Sequence, residues 1–99
     1  MNLHWTARAE SRLKRIQEHI AEDNPSAAFR MIEHILKRSL TIPATPRIGR
    51  RVPEYDCDDI REVFEHPYRI IYRINPRKID VIAVMHLRQL LPDLLNRLR

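Results

Sequence analysis

Two neighbouring β patterns joined by four turn-forming residues constrain this chain more than any other feature. Tyr68, Ile70, Tyr72 and Ile74 alternate with Arg69, Ile71 and Arg73, while Ile79, Val81, Ala83 and Met85 alternate with Asp80, Ile82, Val84 and His86. A period of two belongs to a strand whose faces meet different surroundings. Asn75-Pro76-Arg77-Lys78 lies between the two runs, and so short a connection joins only antiparallel neighbours. The pattern predicts a hairpin with one packing face and one presenting Arg69 and Arg73, about 13 Å apart along an extended strand.

The rest of the chain supplies helices and a further strand. Asn2 to Trp5 reads as a short strand, and Thr6 as the N-cap of a helix in which Ala9, Leu13, Ile16 and Ile20 recur at helical spacing. Asn24-Pro25 ends that helix and starts another, with Asn24 as cap, Pro25 in the first turn, and Ala28, Met31, Ile32, Ile35 and Leu36 as its apolar stripe. Trp5 and Phe29 read as packing residues. Residues 41–53 hold three prolines and the only glycine, Gly49. They form a connector, with Gly49 marking a place where a side chain would obstruct. Residues 59–65 read as a strand, Pro67 as a reversal, and Leu91, Leu94, Leu95 and Leu98 as a short C-terminal helix with Pro92 in its first turn. The expected fold is α+β: an N-terminal helical hairpin packed on a small antiparallel sheet, with a short C-terminal helix and a partly open opposite sheet face.

Ninety-nine residues suffice for one domain, spanning 1–99, and one core. No apolar run approaches the roughly 20 residues needed to cross a bilayer. The opening MNLHWTARAESRLKRI lacks the apolar stretch of a secretory signal. A cytoplasmic protein with no membrane partner is expected. Cys57 is the only cysteine, and His4, His19, His34, His66 and His86 are scattered. Neither a disulfide, a metal site nor a cofactor is expected.

A net charge of +5 and a pI near 10.0 suit an acidic partner, nucleic acid or protein. From His34 to Pro53 there are five basic residues and no acidic one; from Glu54 to Glu65 there are six acidic residues against Arg61 alone. Such runs commonly neutralise each other on the surface.

Taken in order, HWTARAESRLKRI, DNPSAA, GRRVPE, IREV, PYRIIYRI and VIAVMHLR resemble the RelE/ParE toxin superfamily of bacterial type II toxin–antitoxin systems over almost the whole chain. The resemblance implies a helical hairpin on a small antiparallel sheet and a toxin that forms an oligomer with a small antitoxin encoded next door. It also implies one of two targets. RelE-like members look like ribosome-dependent endoribonucleases, whereas ParE-like members poison DNA gyrase. The lysines of the RelE pattern correspond to Ile60 and Glu62, and its terminal tyrosine is missing, the last tyrosine being Tyr72. A YoeB-like ribonuclease site could be drawn from Glu54 as base, Arg69 as phosphate clamp and His86 as acid, acting on messenger RNA at the ribosome. GRRVPE, PYRIIYR and the closing histidine are equally similar to ParE-like chains, as is the continuation HLRQLLPDLLNRLR.

The favoured expectation is a ParE-like toxin inhibiting DNA gyrase by protein binding, with no catalytic residues. Arg47, Arg50, Arg51, Arg69, Arg73 and Arg88 are its candidate target- or antitoxin-binding groups. The alternative for Arg69 and Arg73 is cross-strand pairing with Glu62 or Asp80, and for Arg47, Arg50 and Arg51 a solubilising role. A module that binds antitoxin without toxicity is a third reading. The leucines from Leu90 to Leu98 either close the core or form a binding stripe. The antitoxin is expected to lay an apolar and acidic segment across the basic surface, ordering as it binds.

Overall fold

The computed structural model describes residues 1–89. In chain order it contains β1 (Asn2–Trp5), α1 (Ala7–Ala21), α2 (Pro25–Leu40), a 3-10 turn (Pro46–Ile48), β2 (Arg50–Arg51), β3 (Ile60–Glu65), β4 (Tyr68–Ile74) and β5 (Lys78–His86). Both helices start as expected. The Thr6 hydroxyl accepts from the Ala9 amide at 3.1 Å, and the Asn24 side chain accepts from the Ala27 amide at 3.0 Å. Thr6 also ties α1 to the sheet, since its amide and its hydroxyl both donate to the Val81 carbonyl, at 3.1 and 3.2 Å.

The sheet corrects the expectation of a purely antiparallel meander. Five strands lie in the order β1-β5-β4-β3-β2, and β1 pairs with β5 in parallel, Asn2 opposite Lys78 through Trp5 opposite Val81. The other pairs are antiparallel. A four-residue strand pattern reveals a period but not its partner; here the helical hairpin carries the chain across the sheet and leaves β1 beside the last strand. The C-terminal helix expected over Leu91 to Leu98 lies outside the described residues.

The first core lies between helices and sheet. Ala9 and Ile35 meet Val63, Tyr68, Ile70, Tyr72, Ile79, Val81 and Val84, and Trp5, Leu13, Ile16, Ile20 and Met31 pack around them. Phe29, expected to pack, is instead 64% exposed. The opposite sheet face is less open than expected. Ile60, Ile71, Ile82, Ala83 and Met85 form a second buried cluster with Val52, against which Tyr55 and Cys57 pack.

A bulge explains how β5 serves both cores. Ile71 pairs with Ala83, but Tyr72 pairs with Val81, so Ile82 has no opposite residue. One extra residue breaks the strict alternation. Val81 and Val84 consequently join the helix-side core, whereas Ile82, Ala83 and Met85 join the second cluster. The regular alternation expected of this strand therefore fails at Ala83.

Candidate functional site: two guanidinium–carboxylate clusters

Arg69 lies on the second face of β4, opposite Phe64 of β3 and Met85 of β5. It is only 5% exposed. Its Nε donates to Glu62 Oε1 at 2.6 Å, while Nη1 and Nη2 donate to the two oxygens of Glu54 at 2.8 and 2.9 Å. Nη1 also donates to the Gln89 carbonyl at 3.2 Å. The bidentate fork matches the carboxylate plane. Bonding to Arg69 holds the Glu54 carboxyl below its ordinary range, and bonding to Glu54 raises Arg69 in turn.

Glu62 makes this cluster possible. Its side chain is fully buried, yet Oε2 accepts from Arg50 Nε at 2.7 Å while Oε1 accepts from Arg69. A buried carboxylate needs such partners, because desolvation otherwise penalises its charge. The Arg50 guanidinium lies 5.0 Å from the centroid of the Phe64 ring, within cation–π range. Glu62, the position where the RelE pattern would place a lysine, thus joins two arginines.

A second cluster centres on Asp58, which pairs with Arg47, Arg51 and Arg61. Bonding to Arg47, with help from Arg61 and Arg51, lowers the Asp58 carboxyl. Arg51 also reaches Asp56 at 3.4 Å, and the Asp58 bond raises the Arg51 pKa. Arg61 Nη1 reaches back to the Gly49 carbonyl at 2.9 Å. The basic run and the acidic run fold onto one another.

Gly49 sits where a side chain cannot. A Cβ there would lie 2.6 Å from both the Glu62 carbonyl oxygen and Tyr72 Oη. Its backbone is ordinary extended chain, so close approach requires glycine, not an unusual dihedral. Tyr72 Oη accepts from the Gly49 amide at 3.0 Å and donates to the Pro46 carbonyl at 2.6 Å. Burial pushes the Tyr72 hydroxyl pKa up. The Tyr72 phenol and Arg61 together pin the proline-rich connector to the sheet.

Of the sequence candidates, the structure brings together Glu54, Arg69 and Arg50 in one cluster and Arg47 and Arg51 in the other. His86 stands apart. It pairs with Tyr68, and the two rings meet edge to face, 5.9 Å between centroids. Tyr68 belongs to the helix-side core, so His86 and Arg69 lie on opposite sheet faces. His86 Nδ1 accepts from the Arg88 amide at 3.2 Å. Arg73 and Arg88 are exposed, and neither makes a side-chain ion pair among the described residues.

Cross-strand pairing of Arg69 with Glu62, the alternative expected from sequence, is observed at 2.6 Å, whereas Asp58, Arg61 and the bridge from Glu62 to Arg50 had no such expectation. The β3–β4 register holds the available signal: Glu62 and Phe64 share the parity that faces Ile71 and Arg69. Among the described residues no three His, Cys, Asp or Glu side chains are arranged to hold a metal ion. No helix among them is long and apolar enough to cross a membrane.

Residues 3–91 match the family model described as the ParE toxin of the type II toxin–antitoxin system parDE. The chain is 35% identical over 98 residues to the toxin-designated protein Y4kP of Sinorhizobium fredii, covering 94% of this chain and 95% of that protein. Among solved structures it is similar to a chromosomal ParDE system from P. aeruginosa, with TM-score 0.73 and 20% identity over 87% of this chain and 95% of that one. It is also similar to the RelBE2 toxin–antitoxin complex from Mycobacterium tuberculosis, with TM-score 0.63 and 17% identity over 86% and 95% of the two chains. A mutant of the E. coli toxin RelE in the free state shares the fold, with TM-score 0.65 and 16% identity over 96% and 90%.

Proposed function

The chain belongs to the ParE toxin family of type II toxin–antitoxin systems, within the RelE/ParE superfamily, and from that membership we propose that it arrests growth by binding DNA gyrase. The observation that carries the choice against messenger cleavage is the bidentate Glu54–Arg69 pair. A ribonuclease built on these residues needs a free carboxylate, a free cation and an acid converging on one phosphodiester. Here the carboxylate and the cation neutralise each other, and His86 faces the other side of the sheet. Binding needs none of these groups to act chemically.

On this reading the toxin acts in the cytoplasm, without a cofactor, and is held by a small antitoxin, as the toxins of the similar complexes are. Arg73 and Arg88, exposed and without ion pairs among the described residues, suit target or antitoxin contact better than Arg47, Arg50, Arg51 and Arg69. An acidic antitoxin segment contacting them makes the complex weaken with salt. A salt-independent affinity removes the electrostatic part of that proposal.

Supercoiling and cleavage-complex assays with purified gyrase test the target. Inhibition, or accumulation of cleaved DNA, is the expected result. Growth arrest with gyrase unaffected, together with messenger cleavage lost in His86→Gln, rejects it in favour of the ribonuclease.

A further inference from the structure

The clusters change where the chain's free positive charge lies. Arg47, Arg50, Arg51, Arg61 and Arg69 are all paired with carboxylates. Arg8, Arg12 and Arg15 on α1 have no ion pair among the described residues. Spaced by four and three residues, they share one side of the helix, and His19 continues the row. Arg8, Arg15 and His19 are exposed and Arg12 is half-buried. Of the helix's carboxylates, Glu10 lies at another angle and Glu18 sits three residues from Arg15, and neither forms an ion pair with the row among the described residues.

We propose that the Arg8–Arg12–Arg15 row of α1 docks on the phosphate backbone of duplex DNA. Two observations favour that partner over an acidic protein. Among the described residues none of the large exposed apolar residues lies on α1; they are Met1, Phe29, Leu36, Leu40, Ile48, Phe64 and Leu87. A protein interface normally has a packed apolar centre, whereas a phosphate backbone is held by charge. The row also carries no Phe, Tyr or Trp on which single-stranded bases could stack.

The spacing suits a duplex. Arg8 to Arg15 spans about 10 Å of helix axis, a length over which duplex DNA carries about six charges. Arg8 stands in the first turn of α1, where the helix dipole disfavours a cation, so it does not serve the helix itself and adds to the positive potential there. The choice of DNA rests on the gyrase reading, since gyrase acts on duplex DNA.

Fluorescence anisotropy on the full chain with two unrelated 20-base-pair DNA duplexes tests the row directly. Both duplexes should bind alike, with a slope of log Kd against log salt of about 2.7, close to 0.9 for each of three phosphate contacts. Arg8→Gln/Arg12→Gln/Arg15→Gln, with an unchanged circular dichroism spectrum, should weaken binding at least tenfold and flatten the slope. Arg30→Gln/Arg77→Gln, which also removes two exposed cations, should weaken it less than threefold. Equal losses in the two variants overturn the assignment, as does preference for single strands, tighter binding of duplex RNA, or displacement by polyglutamate at equal charge. Row-dependent duplex binding without any effect on gyrase leaves this inference standing and removes the target. Gyrase inhibition with no row-dependent duplex binding does the reverse.

Discussion

Glu62 accepts hydrogen bonds from Arg69 at 2.6 Å and Arg50 at 2.7 Å while its own side chain is wholly shielded from solvent. The two arginines differ sharply in setting: the side chain of Arg69 is 6% exposed and that of Arg50 is 59% exposed. The same carboxylate is therefore a buried partner on one side and a surface partner on the other.

Arg69→Ala leaves Glu62 facing the second core without its buried partner. Removing one member of a buried pair costs about 3–5 kcal/mol. Arg50→Ala, whose cation is mostly hydrated, should cost about 1 kcal/mol or less. Urea unfolding at neutral pH separates the two. Equal, small losses would mean that Glu62 is not held by Arg69.

The Glu54–Arg69 pair should make stability depend on acid. The Glu54 carboxyl lies below its ordinary value of 4.5 in the folded chain. Its contribution is therefore fully present above that value and disappears as pH falls through the lowered folded pKa. The stability difference between wild type and Glu54→Gln should be constant from pH 7 to about 5 and shrink below that. Urea midpoints between pH 7 and 3 measure it; a difference that grows on acidification contradicts the pairing.

Gly49→Ala should destabilise by about 1–3 kcal/mol, because the added methyl meets a backbone carbonyl as well as the Tyr72 hydroxyl. Tyr72→Phe removes the bonds to Gly49 and Pro46 and should cost about 1–3 kcal/mol by leaving polar groups unpaired. The two losses should be non-additive in a double-mutant cycle, since both changes loosen one connector. Independent losses would show that the phenol and the glycine act separately.

Thr6→Ala deletes both the cap of α1 and a side-chain bond to β5. A loss of about 1 kcal/mol is expected for the cap alone. Thr6→Ser keeps the hydroxyl and should stay near wild type. Faster amide exchange at Ala9 in Thr6→Ala, absent in Thr6→Ser, locates the effect at the cap.

The local elements of this protein are legible residue by residue. Thr6 and Asn24 mark helix starts through side-chain bonds formed within three residues, Pro25 through its fixed φ in the first turn, and Asn75-Pro76 marks the hairpin because turn chemistry is local. Gly49 was readable too, as the one position in a proline-rich connector without a side chain. What the alternation of β5 could not disclose was the bulge at Ile82, because a register depends on the partner strand.

Short-range spacing and ordered motifs were enough to place α1, α2, the hairpin and the family. The parallel placement of β1 beside β5, the closure of Glu54 over Arg69 and the turning of His86 away from it emerge only on folding. Strand pairing and burial join residues distant along the chain. A guanidinium's availability depends on which carboxylates folding brings within hydrogen-bond range, and no local pattern carries that distance.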